Sequence, residues 1–193
     1  MSSRPGVVLL LGSALAAAAC DRQAAAPEQA TASDEVRSTV SASAPKSDSF
    51  DRSHKGEAAP DVAFVGPDGR PARLSDFRGK PVLVNLWATW CAPCVAEMPT
   101  LDAAAAELGD KVRVVTVSQD LEDTPDKVQA FLRDRKLSRL PAYRDPELRL
   151  STAYAANLPV TVLYDARGRE VWRRLGGYEW DSTEAMKALG EVG

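Results

Sequence analysis

Two cysteines stand three positions apart in the segment LWATWCAPCVAEMP, residues 86–99. Cys91 and Cys94 could form a structural disulfide, bind a metal together or act as a redox pair. A disulfide that closes so short a loop removes little entropy from the unfolded chain, which disfavours the structural role. A structural zinc site normally needs four protein ligands, and the chain after residue 58 contains no other cysteine and no histidine. The pair is therefore predicted to undergo reversible thiol–disulfide exchange.

The segments on either side of the cysteines indicate how they are positioned. The run PVLVNLWA from Pro81 is continuously apolar, as in a central buried strand, and residues 95–108 are rich in helix formers and end at Gly109. Cys91 would then lie at a helix N-terminus, where exposed backbone N–H groups favour a thiolate. Cys94 would lie one turn further along and be more buried. This asymmetry is typical of an exchange in which Cys91 attacks a substrate disulfide and Cys94 resolves the mixed disulfide.

The remaining pattern after residue 58 predicts an α/β domain. Strands and helices are expected in this order: a hairpin around the turn at 66–69, the central strand and its helix, a strand at 112–118, a helix from Pro125 to about Lys136 capped by Thr124, a helix at 146–156, a hairpin at 160–175, and a last helix capped by Asp181 or Ser182. A strand, a helix and a parallel strand in succession imply a sheet with helices on both faces.

The first 58 residues differ in composition from this domain. Residues 1–19 contain a short apolar run followed by small residues, as in a secretory signal peptide. Cys20 resembles the lipid-modified first residue of bacterial lipoproteins, with ordinary cleavage and an uncleaved anchor as alternatives. Residues 20–58 are rich in Ala, Ser, Thr, Pro, Glu and Gln, and their only aromatic residue is Phe50. This composition predicts a disordered tether before a domain that spans 59–193, and the resemblance at Cys20 implies that a lipid anchors the tether.

From about Ala59 onward the chain resembles the TlpA/ResA group of thioredoxin-fold proteins, which are membrane-tethered disulfide reductases of the bacterial cell envelope. The resemblance rests on LSDFRGKPVLVNLWATWCAPC (74–94) and NLPVTVLYDARGREV (157–171), and the tail YEWDSTEAMKAL is most similar to TlpA. It implies a thioredoxin-like α/β fold, in which helices flank a central mixed sheet that carries an N-terminal β-hairpin extension. It also implies that the protein needs no metal and no cofactor besides the redox-active disulfide.

The resemblance implies further residues of the site. The bond between Leu158 and Pro159 would be cis, and the backbone of Leu158 would pair with an extended substrate segment. Glu97 follows Cys94 by three residues on the same helix face, and we expect it to accept the Cys94 proton as the mixed disulfide is resolved. A solvated surface carboxylate is the alternative. Asn85 stands where thioredoxin has a buried carboxylate, and an amide cannot take this proton.

The residues between the cysteines indicate the direction of electron flow. Ala92 and Pro93 carry no charge and are close in character to the Gly-Pro of thioredoxin, whose potential is about −270 mV against about −120 mV for the oxidant DsbA. We therefore expect a reductant. Trp90 and Pro93 are expected to contact the substrate.

The resemblance also implies partners and a location. The electron donor would be a transmembrane protein of the DsbD/CcdA type, and the substrates would be apocytochromes c or copper-site proteins of respiratory oxidases. The protein would be a monomer on the periplasmic face of the inner membrane, held by a lipid on Cys20. A net charge of −3 gives no sign of nucleic-acid binding. A thiol oxidase or isomerase, a peroxidase and a non-enzymatic Cu(I) carrier are the alternatives.

Overall fold

The computed structural model describes residues 50–121 and 125–192 of the chain. The predicted signal peptide, Cys20, the predicted tether as far as residue 49 and the Thr124 cap lie outside these ranges. Within them, no helix is both long enough and apolar enough to cross a membrane.

Seven strands form one mixed sheet. They are β1 (Phe64–Val65), β2 (Pro71–Ala72), β3 (Val82–Trp87), β4 (Arg113–Ser118), β5 (Tyr143–Arg144), β6 (Val160–Tyr164) and β7 (Glu170–Leu175). Their spatial order is β2-β1-β5-β4-β3-β6-β7. The β3–β4 and β4–β5 pairs are parallel and the other pairs are antiparallel. The helices are α1 (Ala92–Leu108), α2 (Pro125–Asp134), α3 (Arg149–Tyr154) and α4 (Thr183–Leu189).

The central strand β3 contributes to two hydrophobic cores because successive side chains of a strand point to opposite faces of the sheet. Leu83 and Trp87 belong to the core that includes α1, α2 and α4, whereas Val84 and Leu86 belong to the core that includes α3. Asn85 shares the face of Leu83 and Trp87 and therefore points toward α1. The predicted α/β architecture, with a mixed sheet between helices and an N-terminal β-hairpin, is confirmed.

Two elements depart from the sequence pattern. The short strand β5 is not predicted, because its two residues form a strand only through pairing with β1 and β4. Helix α3 is shorter than the predicted 146–156, since Leu148 before it and Ala155 after it both have left-handed backbone conformations (φ 54° and 49°). Ser182, one of the two residues predicted to cap α4, is its N-cap, and its hydroxyl accepts a hydrogen bond from the Ala185 amide at 3.2 Å.

Residues 50–58 correct the predicted start of the folded domain at Ala59. The ring of Phe50 is buried, with its centroid 4.6 Å from that of Trp172 and 5.5 Å from that of Tyr178. The segment also exchanges backbone hydrogen bonds with β7, including Asp51 with Arg173 in both directions at 2.8 Å. Composition alone predicted disorder here. The unpaired edge of β7 and one aromatic side chain are what order the segment.

We predict that Phe50→Ala lowers the free energy of unfolding by about 3 kcal/mol, because it removes a buried ring and leaves a cavity. Urea denaturation of the full chain measures this loss. Lys55→Ala is the matched control in the same segment, since its side chain is exposed, and a surface substitution changes stability by no more than about 0.5 kcal/mol. Equal stability of the two variants would mean that Phe50 does not stabilise the domain, and would favour the predicted domain start at Ala59.

Candidate active site

The two cysteines lie at the turn from β3 into α1. Cys91 is the N-cap of the helix, with an extended backbone, and Cys94 lies in the first helical turn. Their sulfur atoms form a disulfide, and their Cα atoms are 5.3 Å apart. Cys91 is 6% exposed and Cys94 is completely buried. A partner protein can therefore reach Cys91 more readily than Cys94, which is the asymmetry that exchange requires.

The loop before β6 and the loop after β7 lie next to each other at the site. The Leu158–Pro159 bond is cis, as the sequence resemblance implied. The Gly176 amide donates a hydrogen bond to the Pro159 carbonyl at 2.9 Å. Gly177 packs on the exposed residue Pro93, so closely that a Cβ at position 177 would lie 3.2 Å from the Pro93 carbonyl oxygen. The two glycines therefore bring the predicted substrate-binding residues Pro93 and Pro159 to one side of the protein.

A cavity of about 610 Å³ opens next to Trp90 and Leu158, and we call it the substrate groove. Trp90 is 70% exposed on its rim, and Leu121, on the same rim, is 66% exposed. Its other lining residues are Thr89, Gln119, Asp120, Lys127, Val128, Leu148, Ser151, Ala156 and Asn157. Exposed apolar side chains around a concave surface are typical of a site that binds another protein.

Glu97 is buried, so its alternative interpretation as a solvated surface carboxylate is wrong. Its side chain accepts three hydrogen bonds: Oε1 from Asn85 Nδ2 at 2.8 Å, and Oε2 from the Tyr178 amide at 2.9 Å and from Trp180 Nε1 at 3.0 Å. Burial raises the pKa of Glu97 to about 7, and these hydrogen bonds oppose the rise. A carboxyl group with this pKa can both take up and release a proton near neutral pH.

The sequence pattern did not indicate three of the groups that surround Glu97. Asn85 was noted only as unable to take a proton, but its amide donates to Glu97 and also to Thr161 Oγ1 at 2.9 Å. Tyr178 and Trp180 were part of a tail noted for its similarity to TlpA. No local pattern shows that a tail residue would reach α1, because the two segments meet only in the folded protein.

Among the described residues, no group of three or more His, Cys, Asp or Glu side chains is placed to hold a metal ion. The two cysteine sulfurs are bonded to each other. The site therefore contains a slightly exposed cysteine, a completely buried cysteine and a buried carboxyl group one helical turn further along α1.

Known proteins are similar to this chain in sequence and in fold. Residues 55–185 match the sequence profile of the AhpC/TSA family. Thioredoxin-like protein YneN of Bacillus subtilis is 34% identical over 115 residues, which are 59% of this chain and 67% of that protein. Thiol-disulfide oxidoreductase ResA of Bacillus cereus is 30% identical over 122 residues, which are 63% of this chain and 69% of that protein.

Among solved structures, the exposed lipoprotein thioredoxin Etrx1 of Streptococcus pneumoniae is similar with a TM-score of 0.58 and 30% identity, over 69% of this chain and all of that chain. The predicted thioredoxin-like fold is thereby confirmed, as is the similarity to ResA. The closer similarity of the tail to TlpA stays a prediction.

Proposed function

This chain belongs to the thioredoxin-like AhpC/TSA family and is a thiol-disulfide oxidoreductase, and on this basis we propose that it reduces disulfide bonds of other proteins in the cell envelope. One observation carries the proposal. A disulfide lies at the start of α1 with its more accessible sulfur on Cys91, and a buried carboxyl group follows Cys94 by one turn.

The reaction begins with the reduced protein. The Cys91 thiolate attacks one sulfur of the substrate disulfide, forms a mixed disulfide and releases the first substrate thiolate. Glu97 takes the proton of the Cys94 thiol. The resulting thiolate attacks the Cys91 sulfur, closes the intramolecular disulfide and releases the second substrate thiolate. Two electrons pass from the cysteine pair to the substrate, and the proton on Glu97 leaves to solvent or to a released thiolate.

The substrate groove supports the selection of protein substrates. An extended substrate segment would pair with the backbone of Leu158, and its apolar side chains would contact Trp90 and Leu121 in the groove. The Pro159 carbonyl accepts a hydrogen bond from Gly176, and Pro93 packs on Gly177, so both prolines adjoin the loop after β7. We propose that each of these residues contacts the substrate and that none exchanges electrons with it.

The direction of electron flow is supported by the absence of charge between the cysteines. Strong oxidants such as DsbA owe their potential to extra stabilisation of the reduced form. Ala92 and Pro93 are exposed and uncharged, and provide no such stabilisation. We propose a transmembrane protein of the DsbD/CcdA type as the electron donor, and apocytochromes c or copper-site proteins as substrates.

The N-terminal sequence and one similar structure support the proposed location. We propose that residues 1–19 are removed, that Cys20 carries the lipid and that residues up to 49 tether a monomeric domain to the periplasmic face of the inner membrane. Etrx1, which is 30% identical to this chain, is described as an exposed lipoprotein.

We predict that the protein reduces insulin disulfides and has a potential nearer to about −270 mV than to about −120 mV. Equilibration with glutathione buffers of known ratio measures the potential. Ala92→His is the matched variant, and we expect a higher potential because a positive charge beside Cys91 stabilises its thiolate. A wild-type potential above about −180 mV would instead favour a thiol oxidase or isomerase. Stoichiometric Cu(I) binding without reductase activity would favour the copper carrier.

A further inference from the structure

We propose that Trp180 is a positioning residue, whose indole N–H holds the Glu97 carboxylate at the floor of a cleft. This cleft is lined by other residues than the substrate groove, and the resolving proton leaves through it. The inference rests on the function proposed above and adds to it the residue that orients the proton acceptor and the route of the proton.

Trp180 is attached twice to the same turn of α1. Its indole donates to Glu97 Oε2 at 3.0 Å, and its backbone amide donates to Thr100 Oγ1 at 3.1 Å. The Thr100 hydroxyl in turn donates to the Glu97 backbone carbonyl at 2.8 Å. The position of the indole is therefore defined relative to Glu97 itself and not only relative to the sheet.

The ring of Trp180 has little freedom to turn away. It is completely buried. It stacks on Trp172 with 6.2 Å between ring centroids and an interplanar angle of 11°, and it meets Tyr178 edge-on at 5.4 Å. Because packing already fixes the indole, Trp180 loses no further side-chain entropy when it binds the Glu97 carboxylate.

All three hydrogen-bond donors to the Glu97 side chain are neutral, namely the Asn85 amide, the Tyr178 backbone amide and the Trp180 indole. They stabilise the ionised carboxylate, and the positive charge of Arg174 also favours this form. The charged or titratable groups that line the same cleft are Arg174 on β7, and Tyr178, Glu179 and Glu184 in the tail. Cys94 precedes Glu97 by three residues on α1. The loss of one neutral donor should therefore raise the pKa of Glu97, because a hydrogen bond to the charged form is removed.

A cleft of about 660 Å³ gives Glu97 its route to solvent. Glu97 lines this cleft with Thr100, Arg174, Tyr178, Glu179 and Glu184, and it does not line the substrate groove. Pro93 borders the cleft as well. Because no described residue lines both the groove and the cleft, a substrate in the groove that also contacts Pro93 meets the cleft only at this one residue. Glu97 can then exchange its proton through the rest of the cleft while the mixed disulfide is still present.

The test compares Trp180→Phe with Trp172→Phe in the full chain. Both variants keep an aromatic ring in the same cluster and lose one indole donor, but the Trp172 indole donates to the Ala188 carbonyl at 3.1 Å and not to Glu97. Carbon-13 NMR of the carboxyl groups, with Glu97→Gln for assignment, gives the titration midpoint of Glu97. We expect Trp180→Phe to raise this midpoint by about one pH unit, because a hydrogen bond to the charged form is lost. Trp172→Phe should leave it unchanged.

Kinetics provide a second measurement. The rate at which the mixed disulfide is resolved should fall about fivefold in Trp180→Phe at about pH 7, where less Glu97 is ionised, and should equal the wild-type rate above about pH 9. Thr100→Val removes the acceptor of the Trp180 amide at similar volume, so a smaller shift in the same direction is expected. This variant keeps the test available should Trp180→Phe unfold.

An unchanged midpoint in Trp180→Phe, or a rate loss that is the same at every pH, would overturn the proposal, because either result means that the ring only fills space. The proposed function has a different failure. If the wild-type protein reduces no disulfide while the midpoint still shifts in Trp180→Phe, the positioning role stands and the reductase function is wrong.

Discussion

Cys94→Ser is expected to accumulate mixed disulfides between Cys91 and its substrates in cells, whereas Cys91→Ser is expected to accumulate none. The reason is the order of the two attacks. In the proposed mechanism Cys91, the more exposed of the two, reacts first, and the completely buried Cys94 is needed only to release the substrate. Without Cys94 the reaction stops after its first step, and the substrate remains covalently bound.

Non-reducing gels of acid-quenched cells, followed by mass spectrometry of the excised complexes, measure this accumulation. Cys91→Ser is the matched control, because it retains one thiol of the pair and the same fold. Apocytochromes among the partners would assign the protein to cytochrome c maturation, and copper-site proteins would assign it to oxidase assembly. Equal trapping by the two variants, or no partners with Cys94→Ser, would contradict Cys91 as the attacking residue.

The second large effect is the pH dependence of stability that Glu97 imposes. Its pKa is raised from 4.5 to about 7 in the folded protein, chiefly by burial. The folded state therefore binds a proton more tightly than the unfolded state does. The resulting stabilisation is complete below pH 4.5 and is lost as the pH rises through about 7, by about 3 kcal/mol in all. We expect the oxidised protein to become easier to unfold with urea between about pH 5 and about pH 8.

Glu97→Gln should remove this dependence, because an amide does not titrate. The variant should be more stable than the wild type at about pH 8 by up to about 3 kcal/mol, and near wild-type stability at about pH 5. Asn85 Nδ2 faces Glu97, so the Asn85 amide must turn over for its Oδ1, which has no hydrogen-bond partner among the described residues, to accept a bond from the new amide. The matched control is Glu107→Gln, an exposed glutamate on the same helix. An unchanged pH dependence in Glu97→Gln would show that other groups cause it.

The reactive centre could be predicted from the sequence because its determinants are local. The apolar run of β3, the helix formers of α1 and the stop at Gly109 together place Cys91 at a strand-to-helix turn. The three-residue spacing sets Glu97 on the same helix face as Cys94. The cis bond before Pro159 was implied by a resemblance that also rests on a continuous segment. Each of these features depends on residues that are neighbours in the chain.

The environment of the centre was decided by the tertiary structure. Trp180 lies 83 positions from Glu97 and donates to it only because the tail after β7 returns to α1. Composition predicts that Phe50 belongs to a disordered tether. In the structure its ring packs on Trp172, and the segment that begins with it pairs with the edge of β7. The sequence by itself thus determined which sulfurs form the pair and which carboxyl group we propose as the proton acceptor. The fold determined that this acceptor is buried, since burial and long-range hydrogen bonds exist only once distant segments pack.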